Sequence, residues 1–151
     1  MRLISALILV SALLPSWFPR STHRPGIDPA VAAKVFVEAK QCSDRDGGRL
    51  WGLPIYGPMM FVDVQTHEIA TNRSAPGSDL KEVDGAYVGH LPESVGIANA
   101  AVEWAGVRWS MIMWPLPERE YPRERLLMHE SFHRIQPQLK LQSGNPANAH
   151  L

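Results

Sequence analysis

The order of apolar and polar positions changes character three times along the chain. Val31, Val35, Ala39 and Cys42 recur at helical spacing behind Asp28-Pro29. In that pair the aspartate caps and the proline takes the first helical position, where its missing N–H costs nothing. The spacing predicts a helix from Asp28 to about Cys42, packed through those four residues. From Arg49 to Pro115 the apolar segments shorten and are broken by Gly, Pro, Asn and Asp, the pattern of a small antiparallel-rich sheet. The expected strands are Arg49–Leu53, Met59–Val64, Glu68–Thr71 and Ala86–Leu91, with Gln65-Thr66-His67 turning the second into the third and one helical turn at Asp79–Val83. Trp109, Met111 and Met113 alternate with Arg108, Ser110 and Ile112, the strongest strand signal in the chain, and Ala105-Gly106 before it marks a hairpin tip or a bulge. Pro115, Pro117 and Pro122 then stop the sheet. A last helix is expected from Pro122 to about Gln136, since Pro137 disfavours helical geometry in its predecessor. The fold class that follows is α+β.

Composition narrows the picture. At 151 residues, 45% hydrophobic and 20% charged, the chain has the makings of one globular domain. Fifteen basic residues balance fifteen acidic ones, which argues against a nucleic-acid partner and against electrostatic attachment to anionic membranes. Met1-Arg2 leads into an apolar run from Leu3 to Leu14 that is too short to cross a bilayer comfortably, which takes ~20 residues. Residues 1–24 therefore read as a signal peptide and adjoining loop, residues 25–138 as the domain and residues 139–151 as a polar tail. Export to a bacterial periplasm or the extracellular space is expected, with no stable membrane insertion after cleavage. An uncleaved anchor, or an apolar helix packed on the domain, is the alternative. The single cysteine, Cys42, has no intrachain partner and reads as a small buried hydrophobe.

The last helix carries "LLMHESFHRIQ", in which His129, Glu130 and His133 spell H-E-x-x-H. At 100° per residue, His129 and His133 lie one turn apart on one face, roughly 5–6 Å between side-chain origins, so two imidazoles can converge on one metal ion. Glu130 sits beside that face. Zinc with three protein ligands keeps a fourth position for water, lowers its pKa to about 7, and leaves a neighbouring carboxylate to take the proton. Met128, Phe132 and Ile135 form an apolar stripe round from the histidines. The pattern arises by chance in roughly one of a few hundred chains of this length, so its context carries the weight.

In that context "RLLMHESFHRIQ", preceded by "VRWSMIMWPLP", resembles the zincin metallopeptidases, and among them the glutamate-zincins. The resemblance spans about residues 99–138. It implies zinc held by His129 and His133, Glu130 as general base, a peptide or protein substrate, and Val107–Trp114 as the edge strand that pairs with extended substrate. It also implies a third ligand. The metzincin form requires Gly at 136 and His at 139, where this chain has Gln136 and Leu139, and no acidic residue follows Glu130. His150 is the one conventional ligand after His133, a weak candidate near the end of the chain. A truncated member of the family is the simpler expectation.

The remaining candidates have ordinary explanations. His23, His67 and His90 read as solvated or hydrogen-bonded histidines. Trp51, Trp104, Trp109 and Trp114 read as core residues rather than a binding surface. Arg123, Arg125 and Arg134 read as the solvated side of the last helix, although Arg123 and Arg125 lie in its first turn, where positive charge is unfavourable. Three functions remain open: an exported zinc-dependent peptidase or amide hydrolase, a catalytically inactive zincin-derived fragment, and a secreted binding module with a chance H-E-x-x-H.

Overall fold

A computed structural model describes residues 26–140. The expected signal peptide, His23 and His150 lie outside the described residues, as does most of the polar tail. Helix α1 spans Pro29–Asp46, one turn longer than its apolar spacing predicts. Asp28 caps it by accepting hydrogen bonds from the N–H groups of Ala30 and Val31, at 2.9 and 3.2 Å. Gly47, in the left-handed region at φ 59°, ends it, its N–H donating to the Ser43 carbonyl. The buried face is Ala32, Val35, Phe36, Ala39 and Ser43, so the helix is rotated from the expected stripe and Val31 is exposed.

Arg49–Leu53 is not a strand. The chain there is a series of turns, because Gly48 and Gly52 hold φ values of 79° and 77° and the Gly52 N–H closes back on the Gly48 carbonyl. The sheet begins with β1 (Met59–Asp63) and continues through β2 (Glu68–Thr71), β3 (Lys81–Val83), β4 (Ala86–His90), β5 (Ala100–Trp104) and β6 (Val107–Trp114). No helical turn forms at Asp79–Val83, where Lys81–Val83 is strand β3. Asp84 and Gly85, both at positive φ (48° and 84°), form the two-residue hairpin that returns it as β4. Ala105-Gly106 does the same between β5 and β6. Asp63 shapes the expected turn between β1 and β2, its Oδ1 accepting from the N–H groups of Gln65 and Thr66.

The strand order is β3-β4-β2-β1-β6-β5, antiparallel except where β1 runs parallel to β6. The α+β class stands, with a mixed sheet. Strand β1 is central and buried along its whole length, and its alternate residues serve two cores. Met59 and Phe61 join Ala32, Phe36, Ile112 and Leu127 beneath the helices. Met60 and Val62 join Ile69, Leu91, Trp109 and Met111 on the other side, under the loops. Strand β6 keeps the expected alternation, with Ile112 toward the helices and Trp109 and Met111 away from them. It is an interior strand, however, and the edge beside it is β5.

Helix α2 spans Glu120–Ile135 and packs on β5, β6 and α1. It begins two residues before Pro122, with Arg119 at the N-cap making no side-chain cap bond. The arginine in its first turn has a tertiary reason. Arg123 pairs with Glu38 of α1, its Nε donating to Oε1 at 3.0 Å and its Nη2 lying 3.0 Å from Oε2, and donates to the carbonyls of Pro117 and Glu118. Pro137 ends the regular helix as expected, in a 3-10 turn over Gln136–Leu139. Among the described residues no helix is long and apolar enough to cross a membrane.

Candidate active site

Helix α2 presents two chemically distinct sides. Leu127, Glu130, Ser131 and Ile135 are buried, while Met128 and Phe132, expected in the apolar stripe, are half-buried. Arg125, His129 and His133 follow one another at four-residue intervals and form a stripe on one face. His129 is exposed and His133 half-buried.

The two imidazoles meet. Nε2 of His129 lies 3.0 Å from Nε2 of His133, and the rings stand edge-on at 89° with centroids 4.5 Å apart. Nδ1 of His133 lies 3.1 Å from Oε1 of Gln136. An amide oxygen accepts, so this contact suits the His133 tautomer with its proton on Nδ1, in which the Nε2 lone pair faces His129. This is how carbonyl partners orient metal-binding histidines. Gln136 is the residue whose presence excludes the metzincin pattern. Its orienting role is not legible in the motif, because it depends on the helix tightening into a 3-10 turn at that point.

Glu130 is 4% exposed, and its Oε2 has no hydrogen-bond partner. Burial raises its pKa above the usual 4.5, with the charges of His129 and His133 pulling the other way. The carboxylate is thus electrostatically coupled to both histidines while lying on the sheet side of the helix. An unpartnered buried carboxylate is costly and uncommon.

Two imidazole nitrogens are two of the three protein ligands that a catalytic zinc site requires. Tetrahedral zinc, ~2.0–2.1 Å from each nitrogen, holds two imidazole nitrogens about 3.4 Å apart, so the rings need separate only by a few tenths of an ångström. Among the described residues there is no group of three His, Cys, Asp or Glu side chains able to hold a metal. Among the described residues the structure thus brings His129 and His133 together, buries Glu130 on the sheet side of the same helix, and adds no third ligand to the pair. His67 and His90 are elsewhere, at the β1–β2 turn and the end of β4, on the half of the sheet away from α2.

The surroundings correct three further expectations. The edge strand next to the helix is β5, so Val107–Trp114 has no free edge to offer an extended substrate. Arg134 is not part of a solvated side: it donates to the Ile55 carbonyl at 2.9 Å, and burial together with the charge of Arg108 lowers its pKa. A side chain at Gly57 would collide with the Arg134 guanidinium, so glycine there lets the loop before β1 lie across the end of α2. Cys42 is only half-buried, and burial beside Glu124 pushes its thiol up, away from nucleophilic chemistry.

That same loop builds the wall of a groove. Leu50, Trp51 and Ile55 line a hollow of about 390 Å³ together with Met128, His129 and Phe132. Trp109 is fully buried, Trp104 packs on it at 6.2 Å and Trp114 on Phe61 at 5.9 Å, as expected of core residues. Trp51 is the exception, 39% exposed and set against Phe132 at 4.4 Å. Sequence reasoning misses it because a tryptophan in a glycine-rich turn has no periodicity to place it. Pro117, Pro122, Arg125 and Leu126 line a second hollow on the other side of His129.

No family model, characterised protein or solved structure matches the chain. The functional reading therefore rests on the geometry of α2 and its surroundings.

Proposed function

We propose that the chain is an exported zinc-dependent peptidase or amide hydrolase, with His129 and His133 as metal ligands and Glu130 as general base. The observation that carries this reading is the convergence of two Nε2 atoms at 3.0 Å beside a buried, unpartnered carboxylate. A zinc ion held there would supply Lewis acidity to a substrate carbonyl and acidify a water. Gln136, accepting from Nδ1–H of His133, would leave the nitrogen facing His129 as a donor of electrons rather than of a proton. Glu130, its carboxylate turned out from the sheet side of the helix, would take the proton of the attacking water and pass it to the leaving nitrogen, and its raised pKa suits both halves of that exchange. The apolar run Leu3–Leu14 supports export.

A second reading, an inactive zincin-derived fragment, is favoured by one observation: no third ligand stands with the pair among the described residues. The discriminating experiment assays the zinc-loaded full chain for hydrolysis of a mixed peptide library. Active protein that loses at least about a hundredfold in rate as Glu130→Gln while retaining zinc supports the hydrolase. Zinc retention with no hydrolysis by either protein supports the fragment.

A further inference from the structure

The groove and the stripe on α2 carry a statement about substrate. Resting on the hydrolase reading, the geometry points to a substrate with a large apolar side chain next to a free carboxylate, the C-terminal residue of a peptide or an N-acyl amino acid. The side chain is received by Trp51 and Phe132 and the carboxylate by Arg125.

Three observations support it. First, the groove is continuous with the metal-facing imidazole, since His129 forms part of its wall. Second, Leu50, Trp51, Ile55, Met128 and Phe132 make most of its lining apolar, and three of its polar groups other than Arg125 and His129 already hold hydrogen bonds. Ser43 Oγ accepts from the Tyr56 N–H, Asp46 accepts from the Leu50 N–H, and the Ile55 carbonyl accepts from Arg134. Leu50 at 76% exposure and Trp51 at 39% leave a large apolar surface open at the mouth, of the kind that marks a ligand site. Third, Arg125 borders the hollows on both sides of His129. Among the described residues it enters none of the ion pairs, whereas its neighbours Arg123 and Glu124 are both paired to α1.

The spacing is suitable. In a C-terminal residue the scissile carbonyl carbon and the carboxylate carbon are three bonds apart, about 3–4 Å. Arg125 and His129 are one helical turn apart, about 5–6 Å, a gap that the long guanidinium stem covers. Guanidinium is also the group best matched to a carboxylate, through two parallel hydrogen bonds.

The test follows the Trp51 indole N–H signal by NMR in the metal-free full chain, assigned through Trp51→Phe. The chain is titrated with N-acetyl-L-phenylalanine and, separately, with its carboxamide. The acid is expected to bind about tenfold or more tightly than the carboxamide, the size of one charge-assisted contact partly open to water. Arg125→Gln should erase that preference. Phe132→Ala should weaken both ligands alike, with circular dichroism reporting that each variant folds. Equal affinity for acid and carboxamide overturns the proposal, and so does an indole signal that stays unmoved at millimolar ligand. Zinc uptake is read on a separate portion of the same preparation after exposure to zinc and dialysis. A chain that takes up no zinc but prefers the acid sinks the hydrolase reading and leaves this site standing. A chain that takes up zinc without preferring the acid sinks this site alone.

Discussion

Replacing Glu130 with glutamine tests whether this carboxylate is held for chemistry at the expense of stability. In the metal-free protein its Oε2 is buried without a partner and the whole residue is 4% exposed. An unmet buried polar group costs about 1–3 kcal/mol, more when charged. Glutamine keeps the shape and removes the charge. The sign follows from linkage. Burial raises the folded-state pKa above the usual 4.5, so the folded chain holds this proton more tightly than the unfolded one. The stability associated with that proton is present in full below 4.5 and is lost as pH rises through the folded value. Glu130→Gln has no such loss. Thermal melts in chelator across pH 4–8 should therefore show the variant gaining on the parent as pH climbs, by about 1 kcal/mol or more at the alkaline end. That gain is roughly 4 °C for a chain of this size. A gain that does not grow with pH, or a variant less stable than its parent at pH 8, refutes the reasoning.

Other consequences are more local. Gln136→Leu should leave the fold intact and weaken zinc binding by about tenfold to a hundredfold, since it removes the acceptor that orients His133; a competition titration against a chelating dye measures it. The Arg123–Glu38 pair, with side chains 19% and 22% exposed, joins the start of α2 to α1. A double-mutant cycle with Arg123→Met and Glu38→Gln in urea should give a coupling of about 1 kcal/mol, reduced from a buried-pair value by partial solvation. Gly85→Val should cost about 1–2 kcal/mol in the same assay, because φ is 84° at that position.

What the sequence reveals and conceals divides along physical lines. Local devices are legible: Asp28-Pro29 at the start of α1, the Ala105-Gly106 hairpin, the alternation of β6 and the histidine pair one turn apart all depend on residues a few positions from one another. Pairing between distant segments is not. The parallel match of β1 with β6 sets Met60 beside Met111, and nothing periodic in either strand records its neighbour, so the interior place of β6 is invisible beforehand. Turn chemistry accounts for two misreadings. Arg49–Leu53 has strand-like apolar residues but lies between glycines at positive φ, and Asp84-Gly85 signals a hairpin that makes Lys81–Val83 a strand. At the site, the meeting of His129 and His133 is legible because helix geometry fixes it, whereas Trp51 and Gln136 reach it through a loop and a 3-10 turn. The arginines of α2 look alike in the sequence. Arg123 and Arg134 are distinguished from Arg125 only by Glu38 and the Ile55 carbonyl, which come from other elements.

The central claim is that His129 and His133 share one ion. Its most direct test is the metal content of the full chain after exposure to zinc and exhaustive dialysis, measured by elemental mass spectrometry on the parent and on His129→Ala and His133→Ala. The account predicts one zinc per parent chain and almost none on either variant, with folded-state circular dichroism unchanged. Zinc at background in the parent, or zinc that persists after both substitutions, contradicts it.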